Sequence, residues 1–233
     1  MSAPARPQAL VFDVFGTVVD WYGTIAGEVR GRGLPVDGGA FALAWRAGYA
    51  PAMQEVREGR LPWTSIDGLH RRILDRLLAA HGIALPEDEA AALNRVWHRL
   101  DPWPDAVEGL HRLKARLPIA TLSNGNVALL LAMARHAGLP WDTIFSAELF
   151  GHYKPDPECY LGACRLLDLP PAQVMLVAAH PSDLRGAQAA GLATAYVPRP
   201  AEKGPGGPME PWREGEFDLV ARDFLHLAGQ LGA

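Results

Sequence analysis

Short apolar segments alternate with longer helical segments along most of this chain, and this alternation restricts the possible folds more than any other feature. Five short segments are rich in Val, Ile or Phe and bounded by polar, Gly or Pro residues: 9–14, 119–123, 143–147, 174–179 and 194–198. Helical patterns cover residues 106–116, 126–137, 158–167 and 184–190. This order predicts an α/β fold, a Rossmann-like doubly wound parallel sheet with helices on both faces. Ligands bind such sheets at the carboxyl ends of the strands.

The first predicted strand is followed by an unusually long helical region. Residues 21–100 form helical patterns that are interrupted by segments containing Gly and Pro, at 31–35, 59–62 and 82–86. A helical insertion directly after the first strand would lie over the strand ends. We therefore predict a Rossmann-like catalytic core at 1–20 and 101–233, with a helical cap at 21–100. The Pro- and Gly-rich segment 197–212 is interpreted as a flexible linker.

Composition excludes several classes of function. The 233 residues include 22 Lys and Arg against 26 Asp and Glu, a net charge of −4, which argues against a nucleic-acid partner. The opening MSAPARPQ lacks the apolar stretch of a secretory signal, and the apolar run at 127–134 is too short to span a membrane. Cys159 and Cys164 are the only cysteines, which excludes a disulfide framework. We expect a cytoplasmic protein with no membrane partner.

Polar groups follow the first two predicted strands directly. Asp13 lies in the run FDVFGT, with Gly16 and Thr17 after it. An aspartate at a strand end is placed to act as a nucleophile, although an aspartate that only closes a turn is the more common case. The second strand ends in Ser123 and Asn124, where hydroxyl, amide and backbone N–H groups open a helix and can hold an anion. The same two residues are equally typical helix N-caps.

Two further charged residues continue this pattern. Lys154 precedes a proline and a helix, and Asp183 follows the strand at 174–179. A solvated lysine and a helix N-cap are the simpler interpretations of each alone. Asp13, Ser123, Lys154 and Asp183 in this order, each after a separate strand, resemble the motifs of the haloacid dehalogenase superfamily, and the resemblance covers nearly the whole chain. It implies a covalent intermediate on Asp13, anion binding by Ser123, and a charge-stabilising Lys154 beside Asp183.

The residues that depart from the superfamily's phosphatases are informative. Phosphatases have a second Asp two positions after the nucleophile, which protonates the leaving group, and another Asp four positions before the last motif acid, which holds Mg²⁺. This chain has Phe15 and Ala179 at those positions. The general acid and most of the carboxylate cage for a hard cation are therefore missing. We expect no metal and no cofactor. A departing halide needs no proton, but cationic and amide donors stabilise it.

Cap and core residues resemble those of the L-2-haloacid dehalogenases (type II). Arg46 looks like the arginine that receives the halide in those enzymes, and Asn124 looks like their second halide contact. Trp63 and Tyr49 are candidate aromatic walls, although plain packing of the cap explains both equally well. The resulting substrate-binding candidates are Ser123, Asn124, Phe15, Thr17, Trp63 and Tyr49.

The last motif departs from this subgroup. Ala178 and His180 replace a serine and an asparagine, and Pro181 and Ser182 also differ from the pattern. A histidine titrates near neutrality, so His180 could orient or deprotonate the hydrolytic water, or it could only reshape the pocket for another substrate. The catalytic candidates are Asp13, Lys154, Asp183, Arg46 and His180.

The resemblance implies hydrolytic dehalogenation of small 2-haloalkanoic acids to 2-hydroxy acids, through an ester on Asp13 and with inversion at carbon. The partners would be a halogenated carboxylate and water, and the resemblance suggests a homodimer. Three alternatives stay open. A ring-opening hydrolase acting on small cyclic amino acids would use His180 to handle the leaving nitrogen. A phosphatase with replaced metal ligands and a non-catalytic interaction protein are the others, and the retained set of polar residues argues against the last.

Overall fold

Six parallel strands form the main sheet in the computed structural model, which describes residues 7–233. The strands of the molecule are β1 (Ala9–Phe12), β2 (Val19–Asp20), β3 (Asp101–Pro102), β4 (Ile119–Ser123), β5 (Thr143–Ser146), β6 (Val174–Ala178), β7 (Ala193–Tyr196) and β8 (Leu219–Val220). The order in the sheet is β5-β4-β1-β6-β7-β8. Because β1 pairs with β4 on one side and β6 on the other, the chain leaves the centre towards both edges. This confirms the predicted doubly wound sheet, with a ligand crevice expected after β1.

Helices cover the sheet and fill the region between β2 and β3. They are α1 (Trp21–Gly31), α2 (Gly38–Ala47), α3 (Tyr49–Arg57), α4 (Ile66–Ala80), α5 (Glu87–Asn94), α6 (Ala106–Lys114), α7 (Val127–Ala137), α8 (Ala147–Phe150), α9 (Pro157–Leu167), α10 (Pro181–Ala189) and α11 (Phe224–Leu231). Short 3-10 helices occur at Arg95–Arg99 and Pro171–Gln173. All residues of β1, β4 and β6 are buried, as expected for strands covered on both faces.

The helical region packs against the core through aromatic side chains. β2 and β3 pair antiparallel at the two ends of this region, with Val19 opposite Pro102. Trp97 lies edge-on to Phe15, at 5.7 Å between ring centroids, and to Trp45 at 5.6 Å. The division into a cap at 21–100 and a core at 1–20 and 101–233 stays a prediction. The first six residues of that core, which carry most of MSAPARPQ and the expected lack of a secretory signal, lie outside the described residues.

The Pro- and Gly-rich segment 197–212 is not a free linker. Glu202 within it is buried, and Gly204 adopts a φ of +85° with its backbone against the ring of Tyr22. A Cβ at Gly204 would lie 2.7 Å from that ring, so only glycine permits this approach. The segment therefore folds back over the carboxyl ends of the strands.

None of the helices in residues 7–233 has the length and apolar character needed to cross a membrane.

Candidate active site

A cavity of about 220 Å³ lies beyond the carboxyl end of β1. Its wall combines the ends of β1 and β6, the start of α10, the ends of α2 and α3 that face them, and the segment after β7. The lining residues are Asp13, Phe15, Arg46, Tyr49, Asn124, Lys154, Pro155, His180, Ser182, Asp183 and Glu210. Sites for drug-sized ligands occupy about 300–1,000 Å³. The cavity is therefore sized for a small substrate.

Asp13 is a buried carboxylate with donors on both oxygens. It follows β1 directly, and only 7% of its surface is exposed. Lys154 Nζ donates to Oδ1 at 2.9 Å, while Thr17 Oγ1 donates to Oδ2 at 2.7 Å. His180 Nδ1 lies 3.0 Å from Oδ2. Burial alone would raise the pKa of Asp13, but Lys154 and His180 outweigh it and hold that pKa well below its usual range. Asp13 is thus an ionised, fixed group facing the cavity, as a nucleophile requires.

Lys154 joins Asp13 to Asp183. Its Nζ also donates to Oδ2 of Asp183 at 2.5 Å, and its backbone N–H donates to Oδ1 of Asn124 at 2.7 Å. Burial disfavours the charged ammonium, but the two carboxylates raise the pKa of Lys154 above its ordinary value. Tyr160 donates its hydroxyl to Oδ1 of Asp183 at 2.6 Å. Burial, and next the negative charge of Asp13, raise the pKa of Asp183 despite Lys154, which makes Asp183 the better proton acceptor of the two acids.

Arg46 is a cation that faces the cavity. It lies in the last turn of α2, with its guanidinium carbon 4.2 Å from the ring centroid of Tyr49. No carboxylate in residues 7–233 forms an ion pair with it. Asn124 also lines the cavity, and its Nδ2 makes long contacts, at 3.4 Å to the Lys154 carbonyl and 3.5 Å to Met53 Sδ. These two groups offer N–H donors to an anion.

The wall behind Phe15 and Tyr49 is apolar and holds a neutral histidine. His70 stacks on Trp97 at 3.9 Å between centroids and lies 5.7 Å from the ring of Tyr49. Neither ring nitrogen of His70 has a hydrogen-bond partner within the described part of the chain. Burial lowers the pKa of His70 to about 3 and leaves it uncharged. Phe15 on this wall has no proton to donate, unlike the acid that phosphatases have at the same position.

The structure brings eight of the sequence-predicted residues to the cavity: Asp13, Phe15, Arg46, Tyr49, Asn124, Lys154, His180 and Asp183. Three others lie elsewhere. Thr17 is fully buried behind Asp13 and contacts it. Ser123 is buried with its Oγ accepting from the Gly125 N–H, so it is not on the cavity wall. Trp63 is 38% exposed and lies outside the cavity, where its ring stacks on the ring of Tyr153. Neither Ser123 nor Trp63 lines the cavity, and their contact with substrate stays a prediction.

Four residues at or beside the cavity were not among the site residues predicted from the sequence: Tyr160, Glu202, Ser182 and Glu210. Tyr160 is placed by α9 and carries no local signal beyond an apolar helix face. Glu202 contacts His180 at 3.0 Å, and Glu210 accepts from the Ser182 N–H at 2.9 Å. Both glutamates come from the segment 197–212. The sequence feature that could have indicated them is the presence of acidic residues in a loop otherwise rich in Pro and Gly.

Carboxylates are absent from the two positions where a phosphatase would have them, since Phe15 and Ala179 stand there. Across residues 7–233, no group of three or more His, Cys, Asp or Glu side chains is arranged to hold a metal ion. The expectation that the protein uses neither metal nor cofactor stays a prediction.

Comparisons with known proteins agree with this geometry. Residues 7–191 match the haloacid dehalogenase-like hydrolase family. The (S)-2-haloacid dehalogenase 1 of Pseudomonas sp. (strain CBS-3) is 32% identical over 205 residues, which cover 82% of this chain and 85% of that protein. A crystal structure of an L-2-haloacid dehalogenase has a TM-score of 0.93 and 50% identity, covering 97% of this chain and 99% of the other.

Two further solved structures resemble the chain along almost its whole length. A defluorinating L-2-haloacid dehalogenase has a TM-score of 0.93 and 44% identity, covering 99% of this chain and 100% of its own. The L-2-haloacid dehalogenase from Xanthobacter autotrophicus, solved with chloropropionic acid covalently bound, has a TM-score of 0.83 and 26% identity over 97% of this chain and 99% of that one.

Proposed function

The chain belongs to the haloacid dehalogenase-like hydrolase family, and we propose that it hydrolyses small 2-haloalkanoic acids of the (S) configuration to 2-hydroxy acids. The family assignment confirms the resemblance drawn from the sequence. One observation carries the choice of reaction. The ionised Asp13 faces a small cavity that offers the guanidinium of Arg46 but places Phe15 where a phosphatase has its acid.

The first step is displacement at carbon. A carboxylate oxygen of Asp13 attacks the carbon that bears the halogen, the carbon–oxygen bond forms, and the carbon–halogen pair of electrons leaves with the halide. Arg46 and Asn124 receive the halide, because a cation and an amide N–H stabilise the charge that develops there. Attack from the side opposite the halide inverts the configuration at carbon. The covalently bound chloropropionic acid in the Xanthobacter enzyme supports this ester step.

The second step is hydrolysis of the ester on Asp13. Water adds to the side-chain carbonyl carbon while Asp183, with its raised pKa, takes a proton from it. The bond between this carbon and the substrate-linked oxygen then breaks, and that oxygen regains the proton as the hydroxyl of the product. The new carboxyl group of Asp13 loses its proton to solvent. Lys154 contacts both acids and stabilises their charges throughout.

Halide range is a finer part of the proposal. A carbon–fluorine bond is stronger than a carbon–chlorine bond, so fluoride depends more on the donors that meet it. A structural relative at 44% identity is a defluorinating enzyme, so fluoroacetate should be tested as a substrate in the halide-release assay. A cytoplasmic location is proposed from the cysteine content, and a homodimeric state from the family resemblance. Light scattering of the purified protein tests the dimer.

A halide-release assay without added metal tests the function. We expect turnover of (S)-2-chloropropionate in preference to the (R) form, and loss of at least about 10³-fold in Asp13→Asn, because the nucleophile is removed. Asp37→Asn is the matched control, since Asp37 caps α2 away from the cavity and Asn caps equally well. Equal halide release by Asp13→Asn and wild type, or magnesium-dependent hydrolysis of an aryl phosphate instead, would contradict the proposal.

A further inference from the structure

His180 lies between two carboxylates. Its Nδ1 is 3.0 Å from Oδ2 of Asp13, and its Nε2 is 3.0 Å from Oε1 of Glu202. An ionised carboxylate only accepts hydrogen bonds, and a neutral imidazole has a single N–H. Both contacts are hydrogen bonds at the same time only if both ring nitrogens donate. With both carboxylates ionised, this geometry fits an imidazolium at His180, and such a ring has no free lone pair with which to deprotonate water.

Glu202 is fixed in this arrangement from several sides. It is only 7% exposed, and its Oε1 also accepts from Nε1 of Trp21 at 2.9 Å. Gly16, with a φ of +83°, leaves the space for this carboxylate, because a Cβ at that position would collide with Oε1. A buried carboxylate is costly unless it is paired and hydrogen-bonded. Here the imidazolium and the indole N–H together satisfy that condition, so Glu202 occupies a built position.

The two oxygens of Asp13 have different surroundings. Oδ1 accepts from Lys154, whereas Oδ2 accepts from Thr17 and from His180. Thr17 Oγ1 itself accepts from the Ala179 N–H at 2.9 Å, which directs its hydroxyl hydrogen towards Oδ2. Two preorganised donors on one oxygen form the arrangement that stabilises an oxyanion. Oδ1, with the single donor, is the oxygen that attacks substrate.

We propose that Glu202 is a positioning residue that keeps His180 doubly protonated, so that His180 and Thr17 stabilise the oxyanion on Oδ2 of Asp13 during ester hydrolysis. This rests on the proposed function. Oδ1 bonds to the substrate carbon, and Oδ2 becomes the carbonyl oxygen of the ester. When water adds to the carbonyl carbon, the C=O electron pair moves onto Oδ2. The pair returns as the bond to Oδ1 breaks, and Oδ1 leaves with the product.

The ionisation of the surrounding groups supports this assignment. Burial disfavours a charged imidazole, but the hydrogen bonds and charges of Asp13 and Glu202 outweigh it and raise the pKa of His180 to about 10. His180 in turn lowers the pKa of Glu202 against the effect of burial. The other charged groups lining the cavities on either side of His180 are Arg46, Lys154, Asp183, Glu210, Arg199 and Lys203.

Rapid-quench kinetics on Glu202→Gln separate the two half-reactions. We expect halide to appear in a burst of about one equivalent per active site at nearly the wild-type rate. Steady-state turnover should then fall by about 10- to 100-fold, because weakening one oxyanion donor costs less than the 10²–10³ of deleting it. Intact-mass measurement should show the ester accumulating on Asp13. Glu214→Gln, the same change at an exposed site after this segment, is the control. Equal slowing of burst and turnover, without ester, would overturn the proposal.

Nitrogen NMR of the histidine rings gives a second readout that does not depend on turnover. The His180 signals are identified by their absence in His180→Asn. We expect both ring nitrogens to be protonated at about pH 8 in the wild type, where an unperturbed histidine is neutral, and the titration to move towards neutrality in Glu202→Gln. A singly protonated His180 at that pH overturns the pairing. Wild type that releases no halide while showing the doubly protonated ring would instead locate the failure in the proposed function.

Discussion

Replacing Lys154 by methionine tests the charge arrangement of the site. In the wild type the ammonium is 7% exposed and bonds Asp13 at 2.9 Å and Asp183 at 2.5 Å. Lys154→Met keeps most of the side-chain volume and removes the charge. Two buried carboxylates then lose their shared cation and repel each other.

The magnitude follows from the burial of all three groups. Removing one member of a buried ion pair costs about 3–5 kcal/mol. Because Asp183 loses its cation while Asp13 keeps only His180, we expect a loss within that range, about 3–5 kcal/mol at neutral pH. That is a large share of the about 5–15 kcal/mol that stabilises a typical domain. Halide release should fall well below the wild-type rate, since Lys154 no longer helps to hold Asp13 ionised and in place.

The loss should depend on pH in a defined direction. In the wild type the folded-state pKa of Asp13 is lowered, so its contribution to stability is present above the ordinary value of 3.8 and is lost as the pH falls through the lowered pKa. In Lys154→Met the folded-state pKa of Asp183, which burial already raises in the wild type, rises further because Lys154 no longer lowers it, and Asp13 keeps only His180 to depress its pKa. The variant then binds protons on folding. The difference between its free energy of unfolding and that of the wild type therefore shrinks as the pH falls from about 8 to about 5.

Urea unfolding followed by tryptophan fluorescence measures both effects. Lys114→Met is the matched control, because Lys114 forms an ion pair with Asp142 in which the side chains are 37% and 40% exposed. Exposed pairs contribute about 0–1 kcal/mol. If Lys154→Met were as stable at neutral pH as Lys114→Met, or if its deficit grew as the pH fell, the account of a buried, charge-coupled site would be refuted.

Three other changes probe separate parts of the mechanism. Arg46→Gln should slow halide release by about 10²–10³-fold, because one charge donor to the leaving group is lost; rapid quench should show no ester, and a fast burst would contradict this. Thr17→Val should slow ester hydrolysis more than displacement, while Thr17→Ser keeps both; equal steady-state rates for the two variants would argue against the hydroxyl's role. In the wild type, turnover should decline as the pH rises through about 10, the pKa of His180. Because the pKa of His180 is raised, the protonated ring contributes fully to stability below pH 6.5, the ordinary pKa of histidine. That contribution is lost as the pH rises through about 10. An alkaline limb that Glu202→Gln does not move to lower pH would contradict the assignment.

The main strands could be predicted from the sequence because strands buried on both faces are continuous apolar runs. Residues 119–123 coincide with β4, and 174–179 exceed β6 by a single residue. The two-residue strands β2, β3 and β8 are too short to show any periodicity. Their pairing is set by tertiary contacts, such as the return of the helical region to the core.

The candidate site was predictable to the extent that its residues follow strands. Asp13, Lys154 and Asp183 converge because they follow β1, β5 and β6, whose carboxyl ends lie at the same edge of the sheet. Glu202 could not be placed in this way, since it reaches His180 through a loop whose path depends on packing against α1. Trp63 was predicted at the cavity but lies outside it. An aromatic residue in a helical region gives the same sequence pattern whether it lines a cavity or stacks on a neighbour.

The central claim is that a covalent ester forms on Asp13, and a single turnover in heavy-oxygen water tests it most directly. With enzyme in excess over (S)-2-chloropropionate, the account predicts that the 2-hydroxy acid carries ordinary oxygen taken from Asp13. The peptide containing Asp13 should gain one heavy oxygen in its place. Heavy oxygen in the product of the first turnover, with none in that peptide, would show direct attack of water on the substrate and contradict the account.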